Sequence, residues 1–348
     1  MAFPLAGAGS LRPATDQDHP ASSAGVRDQG CAGRRPRRRP DSCRARRHQA
    51  AGAGHAPREH RGRPQQSHLR AGMHAWQGWR MRVGELELCP VSDGSFVARP
   101  RYFDDDAHPG ARPDVFDRDG AAWLPIGCFV IRIGDRVILV DAGLGPELQY
   151  LPDDMYLVGG QLLTGLRAVD VSPGEVSDIV CTHLHTDHVG WLFDQHADPV
   201  FAAATIWLGA KDWDHFVDGP GEMAAHIEAG FRRCAGTPRL RLLNQDTPVA
   251  EGVTAVMTPG HTPGHLSVMV ESGGSRVLLL GDAITCPVQL EEPGWHSLGD
   301  IDPVLAERSR QRLCLWLADG RTIGVGAHFP ELRPGHLATA EWQPVLSR

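Results

Sequence analysis

The sequence predicts an α/β protein in which two packed sheets are flanked by helices. Three observations carry that expectation. Apolar, strand-like runs alternate with helical patterns in mixed order, no repeat recurs at any long period, and histidines and aspartates collect where apolar runs give way to loops.

In chain order, Met81 is followed at once by Arg82-Val83-Gly84-Glu85-Leu86-Glu87-Leu88, which reads as an opening strand. Residues 129–133 and 136–140 are β-branched and apolar, and the two-residue turn Gly134-Asp135 makes them a hairpin. Residues 144–170 form a long connection. Met155, Tyr156 and Leu157, with Gly159-Gly160 after them, mark it as a candidate lid. Helices are expected at about 161–167 and 222–234. A second hairpin pairs residues 267–270 with 277–280 across a Ser-Gly-Gly-Ser turn at 272–275. Asp302-Pro303 is a capped helix start, and the helix runs through Leu305, Leu313, Trp316 and Leu317 until Gly320 stops it.

The composition splits the chain. Residues 1–72 hold fourteen arginines and five acids, with no Lys, Ile, Trp or Tyr, for a formal charge of 14 − 5 = +9. The whole chain carries −7, so the remainder carries −7 − 9 = −16. A segment so poor in apolar residues cannot offset the entropy of ordering, so residues 1–72 are expected to be disordered and residues 73–348 to form the folded domain. The run from Arg34 to Pro40 lacks the aromatic interleaving of a nucleic-acid binder and the apolar stretch of an export signal. One lysine, Lys211, against thirty-four arginines suggests a GC-rich genome, where spurious upstream reading frames are common. The expected start is therefore Met73 or Met81, with the upstream part non-native or dispensable; a genuine solvated tail is the alternative.

Eight cysteines without Cys-x-x-Cys spacing, several in apolar runs, suit buried free thiols and a cytoplasmic location. No apolar run reaches the ~18 residues of a membrane span, and the acidic domain argues against a polyanionic partner. A small-molecule substrate is expected, with no nucleic acid or membrane. The oligomeric state is not legible, although a homodimer is compatible with the sequence.

The chemistry is concentrated in His183-Leu184-His185-Thr186-Asp187-His188, just after the apolar run Ile179-Val180-Cys181. Alternation in an extended segment points His183 and His185 to one side, and the following turn brings Asp187 and His188 to a neighbouring point. One loop can then serve two metals. Imidazole nitrogen suits zinc, and carboxylate oxygen tolerates zinc, iron or manganese. Downstream, His261 follows the strand-like 253–257, Asp282 ends the run 277–281, and His328 follows 322–327. Loops held by rigid strands are where catalytic groups collect.

These seven residues, in order and local context, resemble the ligand pattern of the metallo-β-lactamase superfamily. The similarity covers roughly residues 81–348 and includes Val140-Asp141-Ala142-Gly143. Val91-Ser92-Asp93-Gly94-Ser95-Phe96 is similar to the subgroup containing methyl parathion hydrolase and homoserine-lactonase-like enzymes. The resemblance implies an αββα sandwich with its ligands along one sheet edge. It implies His183, His185 and His261 on a first metal, Asp187, His188 and His328 on a second, and Asp282 bridging. Asp141 would brace the site, and His265 would be structural. Two divalent ions sharing a ligand, the family's zinc with iron or manganese as alternatives, would make a hydroxide available near neutral pH. Asp187 would also orient that nucleophile and pass a proton to the leaving group.

The expected reaction is hydrolysis of a small carboxylic ester or lactone. A phosphotriesterase is the runner-up, and a low-turnover metal-binding sensor is the alternative from another class. Related homoserine lactonases carry a Tyr three residues after the bridging Asp, where this chain has Thr285. Tyr156, Trp191, Phe193 and Trp295 are the candidate cleft residues, each equally a candidate for the core.

Overall fold

The computed structural model describes residues 78–103, 107–292 and 294–345. The Arg-rich segment 1–72 and the candidate start at Met73 lie outside the described residues. Met81 opens the first strand, as its sequence context suggests.

Two sheets form the framework. The first contains β1 (Met81–Val83), β2 (Leu86–Ala98), β3 (Ala122–Ile133), β4 (Arg136–Val140), β5 (Leu148–Leu151), β6 (Met155–Val158), β7 (Val176–Val180), β8 (Thr205–Gly209) and β9 (Leu240–Leu243). Its order is β5-β6-β2-β3-β4-β7-β8-β9, with β1 also on β2. The second runs in sequence order from β10 (Thr247–Ala250) through β11 (Val253–Met257), β12 (Leu266–Ser272), β13 (Ser275–Leu279), β14 (Thr322–Val325) and β15 (Gly335–Ala338) to β16 (Glu341–Pro344). Parallel pairs occur where a long crossover intervenes: β4 with β7, β7 with β8, β8 with β9, and β13 with β14.

The central strands are apolar without interruption because both of their faces are covered. In β3, Phe129 and Ile131 join the cluster shared with Val253, Val268 and Val277 of the second sheet, while Cys128 and Val130 point outward. The outward residues are covered by α1 (Leu162–Ala168) through Leu162 and Leu166, and by α3 (Ala225–Cys234) through Ile227 and Phe231. On the second sheet, α4 (Pro303–Leu317) contributes Leu313 and Leu317. Period-2 alternation thus builds two cores from one strand, giving the expected helix–sheet–sheet–helix arrangement.

Both expected hairpins form in the expected register, Phe129 opposite Val140 and Val268 opposite Leu279. The Asp302 side chain accepts the Leu305 N–H at 2.9 Å, capping α4 as the Asp-Pro pair predicts. The helix expected from 222 begins only at Ala225, and the opening strand is broken into a hairpin at Gly84, whose φ is 58°. Residues 148–158 of the candidate lid form the β5–β6 hairpin and extend the first sheet beside β2.

Candidate active site

The site grows from strand ends on both sheets. Asp141 follows β4 with φ 63°, a left-handed conformation that costs a non-glycine residue about 1 kcal/mol. The cost is offset by what its buried carboxylate reaches from there. Oδ1 accepts the Thr182 N–H (2.7 Å), and Oδ2 takes the Thr182 hydroxyl (2.8 Å) and faces His188 Nδ1 (2.8 Å). The loop after β7 is thereby pinned so that His183 and His185 leave an extended segment. Asp187 and His188 follow in the single helical turn α2 (Thr186–Val189).

The ligand atoms of three groups each lie within 4.8 Å of one another: His183, His185 and His261; His183, His188 and Asp282; Asp187, His188 and His328. His185 Nδ1 is 3.0 Å from both His183 Nε2 and His261 Nε2. Asp282 reaches across, with Oδ2 3.6 Å from His261 Nε2 and 3.3 Å from His328 Nε2, and Oδ1 3.5 Å from His188 Nε2. All seven residues expected from the sequence are therefore brought to one place.

The outer hydrogen bonds decide the tautomers. His328 Nδ1 faces the Pro125 carbonyl at 2.7 Å and His261 Nδ1 faces the Asp300 carboxylate at 2.9 Å, so each must carry its proton there. His188 Nδ1 does the same toward Asp141. The Thr182 hydroxyl has already given its hydrogen to Asp141, so it accepts from His183 Nδ1 (3.1 Å). Four Nε2 atoms, His185 Nδ1 and two carboxylates then converge. A neutral His185 can donate from Nδ1 to only one of the two Nε2 atoms that face it at 3.0 Å, so at least one contact between lone pairs remains for a cation to relieve. His188 Nε2 and Asp282 Oδ1 are buried without a hydrogen bond. This donor set fits divalent metal ions.

The electrostatics divide along the same line. Burial, then the neighbouring His261, lowers the pKa of His185 to about 3, and burial with neighbouring histidines lowers His183 strongly. Burial also opposes protonation of His188, but Asp141, Asp187 and Asp282 outweigh it and push its pKa up to about 9. His328 is raised well above its ordinary value against burial, chiefly by Asp282. Burial opposes ionisation of Asp187, yet His188 and His328 bring it down to about 2.

His265 is not placed to bind metal, because both its nitrogens are engaged. Nε2 accepts the Asp282 N–H at 3.0 Å, which fixes Nδ1 as the donor to Thr258 Oγ1 at 2.8 Å. The relay continues to Ser267 Oγ (3.0 Å) and the Leu280 carbonyl (3.1 Å). Gly281 lets His265 approach: its φ is 56°, and a Cβ there would sit 2.7 Å from His265 Nε2.

The four aromatic residues expected in the cleft lie elsewhere. Tyr156 is opposite Tyr150, and Gln149 is opposite Leu157. Leu151, Leu157 and Gln149 line the cleft, so Tyr156 is on the other face, edge-on to Trp123. Trp191 donates its indole N–H to Asp93 (2.8 Å). Phe193 packs edge-on to Phe231 in the outer core, and Trp295 stacks on Phe103. A buried carboxylate explains the Trp191 placement: Asp93 also accepts the N–H groups of Leu144, Gly145, Gly160 and Leu162, binding the base of the β5–β6 hairpin.

Above these seven residues is a cleft of about 240 Å³, walled by Phe96, Tyr102, Leu151 and Leu157 and floored by Asp187, Asp282 and His328. A second chamber of about 290 Å³ shares Gln149, Thr186 and Glu222 with it. Tyr102 is buried, and burial followed by the Asp282 charge holds the proton on its hydroxyl.

Sequence reasoning missed four residues: Tyr102, Asp212, Asp300 and Arg310. Asp212 is buried where β8 ends. It accepts the Thr262 hydroxyl (2.8 Å) and the Gly264 N–H (2.6 Å), and so holds the loop bearing His261. Burial pushes its pKa up to about 6. Asp300 holds His261 and faces the buried Arg310 at 3.4 Å. The Ser297-to-Asp300 turn before the cap of α4 is a weak signal for Asp300; nothing local marks the other three.

The superfamily profile of metallo-β-lactamases matches residues 121–326, well over half of the chain. This protein belongs to the metallo-β-lactamase superfamily and is a hydrolase of that class. Among its relatives, N-acyl homoserine lactonase AiiA of Bacillus thuringiensis subsp. kurstaki is 29% identical over 206 residues, covering 55% of this chain and 75% of the relative. Metallo-beta-lactamase domain-containing protein 1 of Xenopus laevis is 32% identical over 231 residues, covering 66% and 79%. Among solved structures, the dizinc quorum-quenching lactonase AidC superposes with a TM-score of 0.67 at 22% identity, covering 78% of this chain and 98% of that one. The hydrolase AbOPH of the beta lactamase superfamily gives 0.66 at 22% identity, with the same coverage.

Proposed function

We propose that the protein is a dinuclear-metal hydrolase that cleaves a small carboxylic ester or lactone with a hydroxide nucleophile. The observation that carries this reading is the position of Asp282, whose two oxygens face histidines of both ligand groups on the floor of an apolar-walled cleft. His183, His185 and His261 would hold one ion, Asp187, His188 and His328 the other, and Asp282 would be shared. Relatives named as lactonases support the substrate class. We assign the hydrolase to residues 73–348, treat 1–72 as dispensable, and place the protein in the cytoplasm, where six free cysteines among the described residues would stay reduced. No helix among the described residues is long and apolar enough to cross a membrane.

The chemistry that a divalent pair supplies when bound is a hydroxide near neutral pH and Lewis-acid polarisation of the substrate oxygen. The remaining work belongs to the chain. Phe96, Leu151 and Leu157 cover the acyl portion and exclude bulk water. Asp187 lines the cleft and is the group placed to take a proton and pass it to the departing alkoxide.

The test is metal content together with turnover of lactones, aryl esters and phosphotriesters by zinc-, manganese- and iron-loaded protein. Close to two ions per chain and ester or lactone turnover that disappears in Asp282→Ala are expected. A single ion after loading with excess zinc would sink the dinuclear reading. Turnover of phosphotriesters alone would replace the substrate class. Two bound ions with no turnover would point to a metal-dependent sensor.

A further inference from the structure

We propose that Tyr102 is a catalytic residue, its hydroxyl donating a hydrogen bond to the carbonyl oxygen of the bound ester. This rests on the ester or lactone reading above. It goes beyond that reading by assigning the substrate-orienting donor to a segment far from the metal motif.

Ser297 Oγ donates to Tyr102 Oη at 2.8 Å, and Ser297 Oγ in turn accepts the Gly299 N–H at 3.2 Å. A serine has one hydroxyl hydrogen, and this one is spent on Tyr102. The phenol therefore keeps its own hydrogen, and its other hydroxyl neighbour is Thr285. Thr285 Oγ1 is buried and meets no partner at full hydrogen-bond geometry, so these two hydroxyls bring two hydrogens to one loose contact and at least one is left without an acceptor. A buried donor without an acceptor is costly, and a ligand oxygen would relieve that cost. Elsewhere in the cleft, the Thr186 hydroxyl is already given to Gln149 Oε1 at 2.8 Å.

The donor is also held still. The Tyr102 carbonyl accepts the Leu298 N–H at 2.7 Å, and the Phe103 carbonyl accepts the His296 N–H at 2.9 Å. The ring is edge-on to Phe96 at 4.9 Å and to Phe103 at 5.1 Å, and Phe96 is edge-on to His328 at 5.7 Å. A fixed donor in a water-poor wall beside the ligand floor is the arrangement that stabilises negative charge growing on an attacked carbonyl oxygen. The hydrogen stays on Tyr102 throughout, so no bond to it is made or broken.

The experiment compares zinc-loaded wild type with Tyr102→Phe, which keeps the ring and its packing. Melting temperature, metal content, kcat and KM on lactones and aryl esters, and binding of methylphosphonate, a tetrahedral oxyanion, are measured. We expect unchanged metal content, kcat lower by about 10²-fold with little change in KM, and methylphosphonate binding weaker by about tenfold. Wild-type kcat and equal methylphosphonate binding in the variant would overturn the proposal. So would loss of metal, which would make Tyr102 a support of the ligands. If wild type hydrolyses no ester, that reading fails by itself. Methylphosphonate still decides about Tyr102, with weaker binding in the variant supporting the donor and equal binding overturning it.

Discussion

Asp300 Oδ1 lies 2.9 Å from His261 Nδ1, although 39 positions separate the two residues. The carboxylate fixes the imidazole so that Nε2 faces His185, and its other oxygen faces Arg310 Nη2 at 3.4 Å and the Ser297 N–H at 3.2 Å. Asp300→Ala should weaken zinc binding by about 10–100-fold, as loss of an orienting carboxylate does elsewhere. Arg310→Met should act mainly on stability, because it leaves the buried Asp300 charge without its partner, at a cost on the order of 3–5 kcal/mol. Chelator competition and thermal unfolding separate the two. An Asp300→Ala protein with unaltered zinc affinity would remove the relay.

His265→Ala should behave differently from loss of a ligand. The ring touches the Asp282 backbone through Nε2 and Thr258 through Nδ1, so its removal frees a buried N–H and a buried hydroxyl. The expected result is a melting temperature lower by several degrees with most of the metal retained. Metal loss as severe as in His183→Ala would make His265 a ligand after all.

Zinc uptake should release protons and weaken as pH falls. In the metal-free chain His188 has its pKa raised to about 9, so at pH 7 it holds a proton that a cation must displace. His185, lowered to about 3, is already bare at that pH. Below pH 9, each unit of acidification should therefore cost at least about tenfold in affinity for the ion that His188 holds, and more where His328, raised in the same direction, also gives up a proton to that ion. Calorimetry in buffers of different ionisation enthalpy measures the released protons. Zinc affinity that is flat from pH 6 to pH 8 would contradict the assignment.

Asp212 should make the fold less stable as pH rises from about 4 to about 6. Its pKa is raised from 3.8 to about 6 in the folded chain, so over that interval the unfolded chain gives up this proton and the folded chain keeps it. The sign is therefore a loss of stability with rising pH, complete near pH 6, of about 3 kcal/mol at most. The difference in melting temperature between wild type and Asp212→Asn should move against wild type across this range. A constant difference would show that Asp212 is ionised throughout.

The candidate ligands are legible in the sequence alone. His183 to His188 lie within six residues, so the direction of each side chain follows from an extended segment and one helical turn. His261, Asp282 and His328 stand next to apolar runs whose burial leaves their ends little freedom. The central strands were legible for the same reason, since period-2 apolar runs and two-residue turns act over a few residues.

The cleft wall depends on strand register and long-range packing. Tyr156 and Leu157 are adjacent and both apolar enough to be buried, and what separates them is the pairing of β6 with β2, Ser95 opposite Val158. A shift of one residue there would have exchanged their faces, and nothing local sets that register. Tyr102, Asp300 and Arg310 come from three segments without a shared motif. They meet because the packing of the 102–103 and 296–298 segments beside α4 leaves buried polar groups that must find partners. A buried donor or charge is satisfied by whatever the fold brings within hydrogen-bond reach, a property of the assembled core and not of any stretch of chain.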